Sequence, residues 1–117
     1  AYYAAGMILR IGEKIHVIHR RRFEKETRRH FVGVVEACEA GLARVIGYVY
    51  SVDRTKFVFI RRPDKRIRII SLVAGDILNV LPDSVDVDKI MYKQEKKCIR
   101  ITDGSDWHLD ISEMTWI

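Results

Sequence analysis

The sequence predicts an all-β fold: a small barrel of about five strongly bent antiparallel strands, with an additional C-terminal β-hairpin. Three observations carry this. Runs rich in β-branched and aromatic residues recur at spacings of roughly 8 to 12 residues, the pattern of a sandwich or barrel. Gly, Pro and Asp punctuate those runs. Helical periodicity is nearly absent.

Taken in order, residues 7–12 are expected to form at most a short helix, limited by Gly6 and Gly12. Lys14 to Arg20 has Ile15 and Val17 at period 2, with Ile18 breaking strict alternation. Arg21 to Arg29 holds good helix formers but no apolar face beyond Phe23, so it reads as a polar loop or one short turn. His30 to Cys38 and Leu42 to Val52 are two strands, the second interrupted by Gly47. Glu39-Ala40-Gly41 between them is a hairpin loop with Gly supplying a positive φ. Arg54 to Arg61 is the next strand. Arg62-Pro63-Asp64-Lys65 is a turn with Pro at its second position, and Arg66 to Leu72 is expected to return from it. Ile77 to Leu81 follows a Gly75-Asp76 turn and stops at Pro82. The tail adds Lys89 to Gln94, Cys98 to Thr102 and Trp107 to Ile111, the last two joined by Asp103-Gly104-Ser105-Asp106, whose Asp-Gly pair signals a hairpin.

With 117 residues, the chain is expected to be a single domain: a barrel core at 30–82 and a C-terminal β extension at 83–117. Apolar residues make up 48% and charged residues 32%, which excludes a disordered chain. No apolar run approaches the roughly 18 residues of a membrane-spanning helix, so no membrane partner is expected. Residues 1–6 lack the charged leader and apolar stretch of a secretory signal; Met7 reads as a native start, with residues 1–6 left over from expression. Cys38 and Cys98, one pair 60 residues apart, make no disulfide framework and read as reduced, partly buried thiols of a cytoplasmic protein.

The enzyme templates are missing: no Gly-rich phosphate loop, no Gly-x-Ser-x-Gly elbow, no His-Glu-x-x-His stretch. His16 and His19 fall on opposite faces of a strand and cannot share a metal there. Asp103, Asp106 and Asp110 lack the spacing of a calcium loop and read as solvated turn carboxylates. A non-enzymatic protein without cofactor or metal is the expectation.

Charge is unevenly placed. Residues 1–81 hold 16 Lys and Arg against 8 Asp and Glu, a net of +8; residues 82–117 hold 5 against 8, a net of −3. The positive charge concentrates in two clusters: Arg20, Arg21 and Arg22 with Lys25, Arg28 and Arg29, and Arg61, Arg62, Lys65, Arg66 and Arg68 around Pro63, with Arg54 and Lys56 at the far end of the same strand. Ten of these thirteen residues are Arg, whose planar fork suits bidentate phosphate contact. Alternation of Arg66 and Arg68 with Ile67 and Ile69 also fits the wet face of an antiparallel strand. Tyr48 and Tyr50 share one strand face, as do Phe57 and Phe59. Core packing is the first reading for all four, with base stacking open for Tyr48 or Tyr50.

Residues 30–82 resemble the Sm-like family of RNA-binding rings. The motif carrying the likeness runs Gly41, Gly47, Asp53 and Phe57-Val58-Phe59, with Lys56 where the family places a base-contacting Asn. A second stretch, Val73-Ala74-Gly75-Asp76-Ile77-Leu78-Asn79-Val80, matches the family's second motif, with Ala74 replacing its basic residue. The resemblance implies an SH3-like or Sm-like barrel and ring assembly, with Pro63-Asp64 as the turn between strands 3 and 4. The two replaced residues are those that read uridine, so uridine selectivity is not implied; a base pocket would use Lys56, Asp76 and neighbours. Such rings join strand 4 of one subunit to strand 5 of the next, which removes both open edges. The candidate edges here are 66–72 and 77–81, predicting either a homo-oligomer or coverage by the C-terminal strands.

Together these readings predict single-stranded RNA or DNA as partner. Phosphates would be held by Arg54, Lys56, Arg61, Arg62, Arg66 and Arg68, with Arg20, Arg21 and Arg22 as a second patch. The alternative is an SH3-type protein-interaction or structural subunit whose acidic tail meets a neighbour's basic barrel.

Overall fold

A computed structural model describes residues 8–20, 23, 28–53, 58–95 and 98–112. Among the described residues nine strands run β1 (Lys14–Ile18), β2 (Arg29–Glu39), β3 (Leu42–Asp53), β4 (Val58–Arg61), β5 (Arg66–Ser71), β6 (Ile77–Leu81), β7 (Met91–Glu95), β8 (Cys98–Thr102) and β9 (His108–Asp110), with a 3₁₀ turn at Val87–Lys89 between β6 and β7. All pairings are antiparallel, so the fold is all-β. The described part of 7–12 is not helical: residues 11 and 12 form a turn, with Gly12 at φ 90°, because the glycine supplies a turn that a helix could not continue through.

β1 to β6 form one sheet in the order β4-β3-β2-β1-β6, with β5 also on β3. The β2–β3 hairpin closes through Ala40 (φ 50°) and Gly41 (φ 77°), two residues in the left-handed region as a tight hairpin turn requires. Midway along it, Gly33 stands directly opposite Gly47. A Cβ on Gly33 would lie 2.3 Å from the Ile46 carbonyl oxygen, and one on Gly47 2.0 Å from that of Val32. The two backbones approach here more closely than any side chain permits.

Two expectations need correction. The segment around Pro63 does not turn the chain back. Tyr50 pairs with Arg61 and Gly47 with Arg66, so β4 and β5 follow the same line along β3. Four residues, Arg62 to Lys65, stand opposite two, Tyr48 and Val49, as a bulge in one interrupted strand. The Arg62 amide still donates to the Val49 carbonyl at 2.9 Å, and Pro63, lacking an N–H, is tolerated because the strand lies at the sheet edge. The barrel also does not close. β4 and β5 form one edge, β6 the other, and the two are not paired. Alternation and turn signals specify strands and bends; they carry no information on whether two edges meet.

The sheet is covered on both faces. On its inner face Leu9, Ile15, Val17, Phe31, Val35, Ala43, Val45, Val49 and Ile70 make one core. On its outer face Val32, Tyr50 and Leu81 pack against Val85, Val87, Ile90, Ile99, Ile101 and Ile111 of the C-terminal part. Strands buried on both sides read as continuous apolar runs, which is why Ile18 breaks the alternation of β1. The expected C-terminal hairpin is a three-stranded sheet, β7-β8-β9. It lies on the face of the main sheet and pairs with neither edge strand, so among the described residues neither edge gains a further strand.

No described helix is long and apolar enough to cross a membrane. Cys38 and Cys98 are free and partly buried.

Candidate nucleic-acid interface

Alternation carried through the bulge at Arg62–Lys65 decides where each basic side chain goes. Side chains alternate along a strand, and the two extra residues, an even number, shift the register while keeping that alternation in step from β4 to β5. Arg61, paired with the outward-facing Tyr50, points to the outer face. Its guanidinium lies 4.5 Å from the Tyr48 ring centroid and donates from Nη1 to the Asp88 carbonyl at 2.6 Å. Lys65 joins it, 5.6 Å from the same ring and 3.2 Å from Asp88 Oδ1. The hydrogen bond from Lys65 holds the Asp88 carboxyl below the usual carboxylate range.

Arg62, Arg66 and Arg68 turn inward instead. With Arg29 they line a cavity of about 430 Å³ whose other walls are Val49, Ser51 and Val52. Arg29 stands opposite Ser51 in the β2–β3 ladder, and Arg66 and Arg68 stand opposite Gly47 and Val45. The cavity is therefore the polar end of the inner face. Arg68 sits 5.8 Å from the centroid of the buried Phe31 ring. Burial, then the neighbouring Arg66 and Arg29 charges, lower the Arg68 pKa. Among the described side chains no carboxylate lines the cavity; Asp64, on the exposed bulge, meets Arg66 at 2.9 Å from outside it.

This reverses the wet-face reading of β5. Ile67 and Ile69 are the exposed side chains, at 49% and 59%, while Arg66 and Arg68 are half-buried. Apolar alternation alone cannot tell which set faces in.

Arg20 lies apart, beside a second, smaller cavity of about 280 Å³ lined by Ile18, His19, Arg28, Gly75 and Ile77 as well. Its side chain packs over Gly75, where an added Cβ would meet Arg20 Cδ at 3.3 Å. Asp76 has a structural task here: one carboxylate oxygen accepts from the Arg20 amide at 2.7 Å, the other lies 3.0 Å from His19 Nδ1. Both oxygens are engaged, and the carboxylate ties the chain after β1 to the start of β6. Arg21, Arg22, Arg54 and Lys56 lie outside the described residues.

Tyr50 is fully buried, its hydroxyl donating to the Ile90 carbonyl at 3.1 Å, and burial pushes its pKa up to about 12. Tyr48 is half-buried under Arg61 and Lys65. Phe59 stacks on Tyr92, centroids 4.2 Å apart.

The sequence reading missed a buried polar chain on the outer face. Asn79 Nδ2 lies 3.1 Å from His16 Nδ1, His16 Nε2 lies 2.9 Å from His30 Nδ1, and the Tyr92 hydroxyl lies 2.9 Å from that same His30 nitrogen. With both rings neutral, the Asn79 amide donates to His16 Nδ1, while His16 Nε2–H and the Tyr92 hydroxyl share the single lone pair of His30 Nδ1. Desolvation lowers His16 to about 4; desolvation first, then the charges of His16, Arg28 and His19, lowers His30 to about 3. The chain links β1, β2 and β6 to β7, stitching the two sheets together. Period 2 places His16 and His30 on one face, but their pairing needs the β1–β2 register, which the sequence does not declare.

Among the described residues no group of three His, Cys, Asp or Glu side chains is placed to hold a metal ion. Asp103 is nearly buried, accepting from the Ser105 hydroxyl and from the Ser105 and Asp86 amides, so it serves the β8–β9 turn and its junction with the main sheet.

No protein-family profile, no curated protein and no solved structure matches the chain.

Proposed function

We propose that this protein is a non-enzymatic binder of single-stranded RNA or DNA that acts through phosphate contacts and works as a homo-oligomer. One observation carries the binding half: four arginines, Arg29, Arg66 and Arg68 from strands and Arg62 from the bulge, converge on a single cavity that no carboxylate among the described side chains lines. Like charges gathered at a half-buried site repel one another, and a polyanion relieves that repulsion. Arginine forks donate paired hydrogen bonds to phosphate oxygens, and counterion release favours a dense set of such contacts without reading bases.

The assembly half rests on the two open edges. Counting β4 and β5 as one interrupted strand leaves five, and the outermost are then the fourth and fifth. That is the pair that joins neighbours in Sm-like rings, the family the sequence resembles over 30–82. Edge strands of this kind, with Ile67, Ile69, Ile77 and Val80 partly exposed, invite pairing with another chain.

The test is a salt titration of binding to poly-U and poly-A, with light scattering to count subunits. The reading predicts log affinity falling by about 0.7 per phosphate neutralised for each tenfold rise in salt, with similar affinity for both polymers, and a defined oligomer. Binding that barely changes with salt would contradict the phosphate mechanism, and a monomer would contradict the assembly. A tight oligomer without affinity for either polymer would favour the protein-interaction reading instead.

A further inference from the structure

The arginine cavity gathers more positive charge at one point than a single internal phosphodiester neutralises. Each internal phosphate carries one negative charge, and a strand passing through needs cations in a row along an open groove. Here Arg29 at the start of β2, Arg62 in the bulge, and Arg66 and Arg68 on β5 surround one hollow. Its volume of about 430 Å³ is that of a pocket for a single small ligand. Asp64 partly neutralises Arg66 from outside and Arg62 stands near it, yet no carboxylate among the described side chains lines the cavity. Arg68 is held against Phe31, half-buried, where a charge without a counter-charge is unfavourable. A phosphomonoester brings nearly two negative charges and three strong acceptor oxygens to one point. Ser51 adds a hydroxyl, while Val49 and Val52 offer an apolar wall to the attached nucleoside.

From this, and resting on the nucleic-acid reading above, we infer that the Arg29–Arg62–Arg66–Arg68 cavity is an end-binding site that takes the terminal phosphomonoester of a single-stranded oligonucleotide. The remaining backbone then runs out of the cavity past the other basic residues. The site makes the protein a reader of strand ends and of their phosphorylation state.

The experiment uses the full chain and a fluorescent ten-nucleotide oligo-U in three forms: 5′-phosphorylated, 3′-phosphorylated, and with hydroxyls at both ends. Affinities are measured at one moderate salt concentration, with uridine monophosphate as competitor. One phosphorylated form is expected to bind at least tenfold more tightly than the hydroxyl form. Arg68→Ala should weaken binding of all three forms and abolish that difference; Arg68→Lys should restore part of it. Equal affinity for all three forms would overturn the inference and leave backbone binding intact. Absence of binding to any form would overturn the nucleic-acid reading itself. Uridine monophosphate binding as tightly as the phosphorylated oligonucleotide would make the cavity a free-nucleotide site and also overturn the inference.

Discussion

The two faces of the β4–β5 edge carry the same kind of charge and meet opposite fates. On the outer face Arg61 and Lys65 lie over Tyr48 and are satisfied by Asp88 of the acidic C-terminal part. On the inner face, arginines one to seven residues away line a cavity with no carboxylate among the described side chains. Five basic residues within eight positions of sequence are thus split by strand alternation into a set held at Asp88 and a set lining the cavity. A basic cluster in sequence is therefore not yet a binding surface. What counts is which side of the sheet each residue reaches and whether an acid awaits it there.

The largest expected effect separates the faces by pH. His16 and His30, held near 4 and 3 by burial, are neutral in the folded protein, whereas unfolded chains protonate them near 6.5. The unfolded state therefore binds more protons below that value. The stability contributed by the neutral rings is fully present above pH 6.5 and is lost as pH falls from there towards about 4. Between pH 7 and 4.5 the loss should be on the order of 4 kcal/mol for the two together, read as a falling denaturant midpoint. It should act on the outer face, since protonated rings oppose the donors that join the sheets, while the inner arginines keep their charge. A flat stability profile over this range would remove the buried-network account.

The second effect tests the crossing that both faces share. Gly47→Ala places a methyl carbon against the Val32 carbonyl and should destabilise by about 3 kcal/mol or more, beyond ordinary overpacking because backbone must move. Unchanged thermal unfolding would show that β2 and β3 can separate there without loss.

Next comes the binding contrast. Arg66→Ala with Arg68→Ala should weaken single-strand binding by about a hundredfold at low salt, as expected from losing two charge-assisted contacts. Arg61→Ala with Lys65→Ala should change it by less than about threefold, because those charges already have partners. Equal losses from the two pairs would erase the distinction between the faces.

The smallest effect sharpens it. Asp88→Asn releases Lys65 from its ion pair and leaves Arg61 only the backbone carbonyl. Affinity should rise by about two- to fivefold as the outer face gains net positive charge, with less than about 1 kcal/mol lost in stability since the pair is exposed. A fall in affinity would mean that the C-terminal sheet does not mask the outer cations.

Much of the strand pattern was legible because it rests on local rules. Gly41, Gly75 and Gly104 adopt the positive φ that their turns require, and β6 begins and ends where the sequence puts it, at Ile77 and Leu81. Pro63 misled because a proline between two apolar runs signals a turn and an edge bulge equally well. Only the pairing of Arg66 with Gly47 decides between them. The candidate site was half legible. Arg62, Arg66 and Arg68 were named from composition, whereas Arg29 was assigned to a polar loop and became a wall of the cavity only through its register opposite Ser51. Asp76 could not be sorted from sequence, since its two hydrogen bonds come from residues far earlier in the chain. The His16–His30 chain was invisible for the same reason.

The central claim is that the inner arginines neutralise phosphates. Its most direct test is the salt dependence of single-strand binding for the native chain and for Arg29→Ala with Arg68→Ala. If the two arginines each neutralise one phosphate, the slope of log affinity against log salt should become shallower by about 1.4. An unchanged slope, even with reduced affinity, would contradict it.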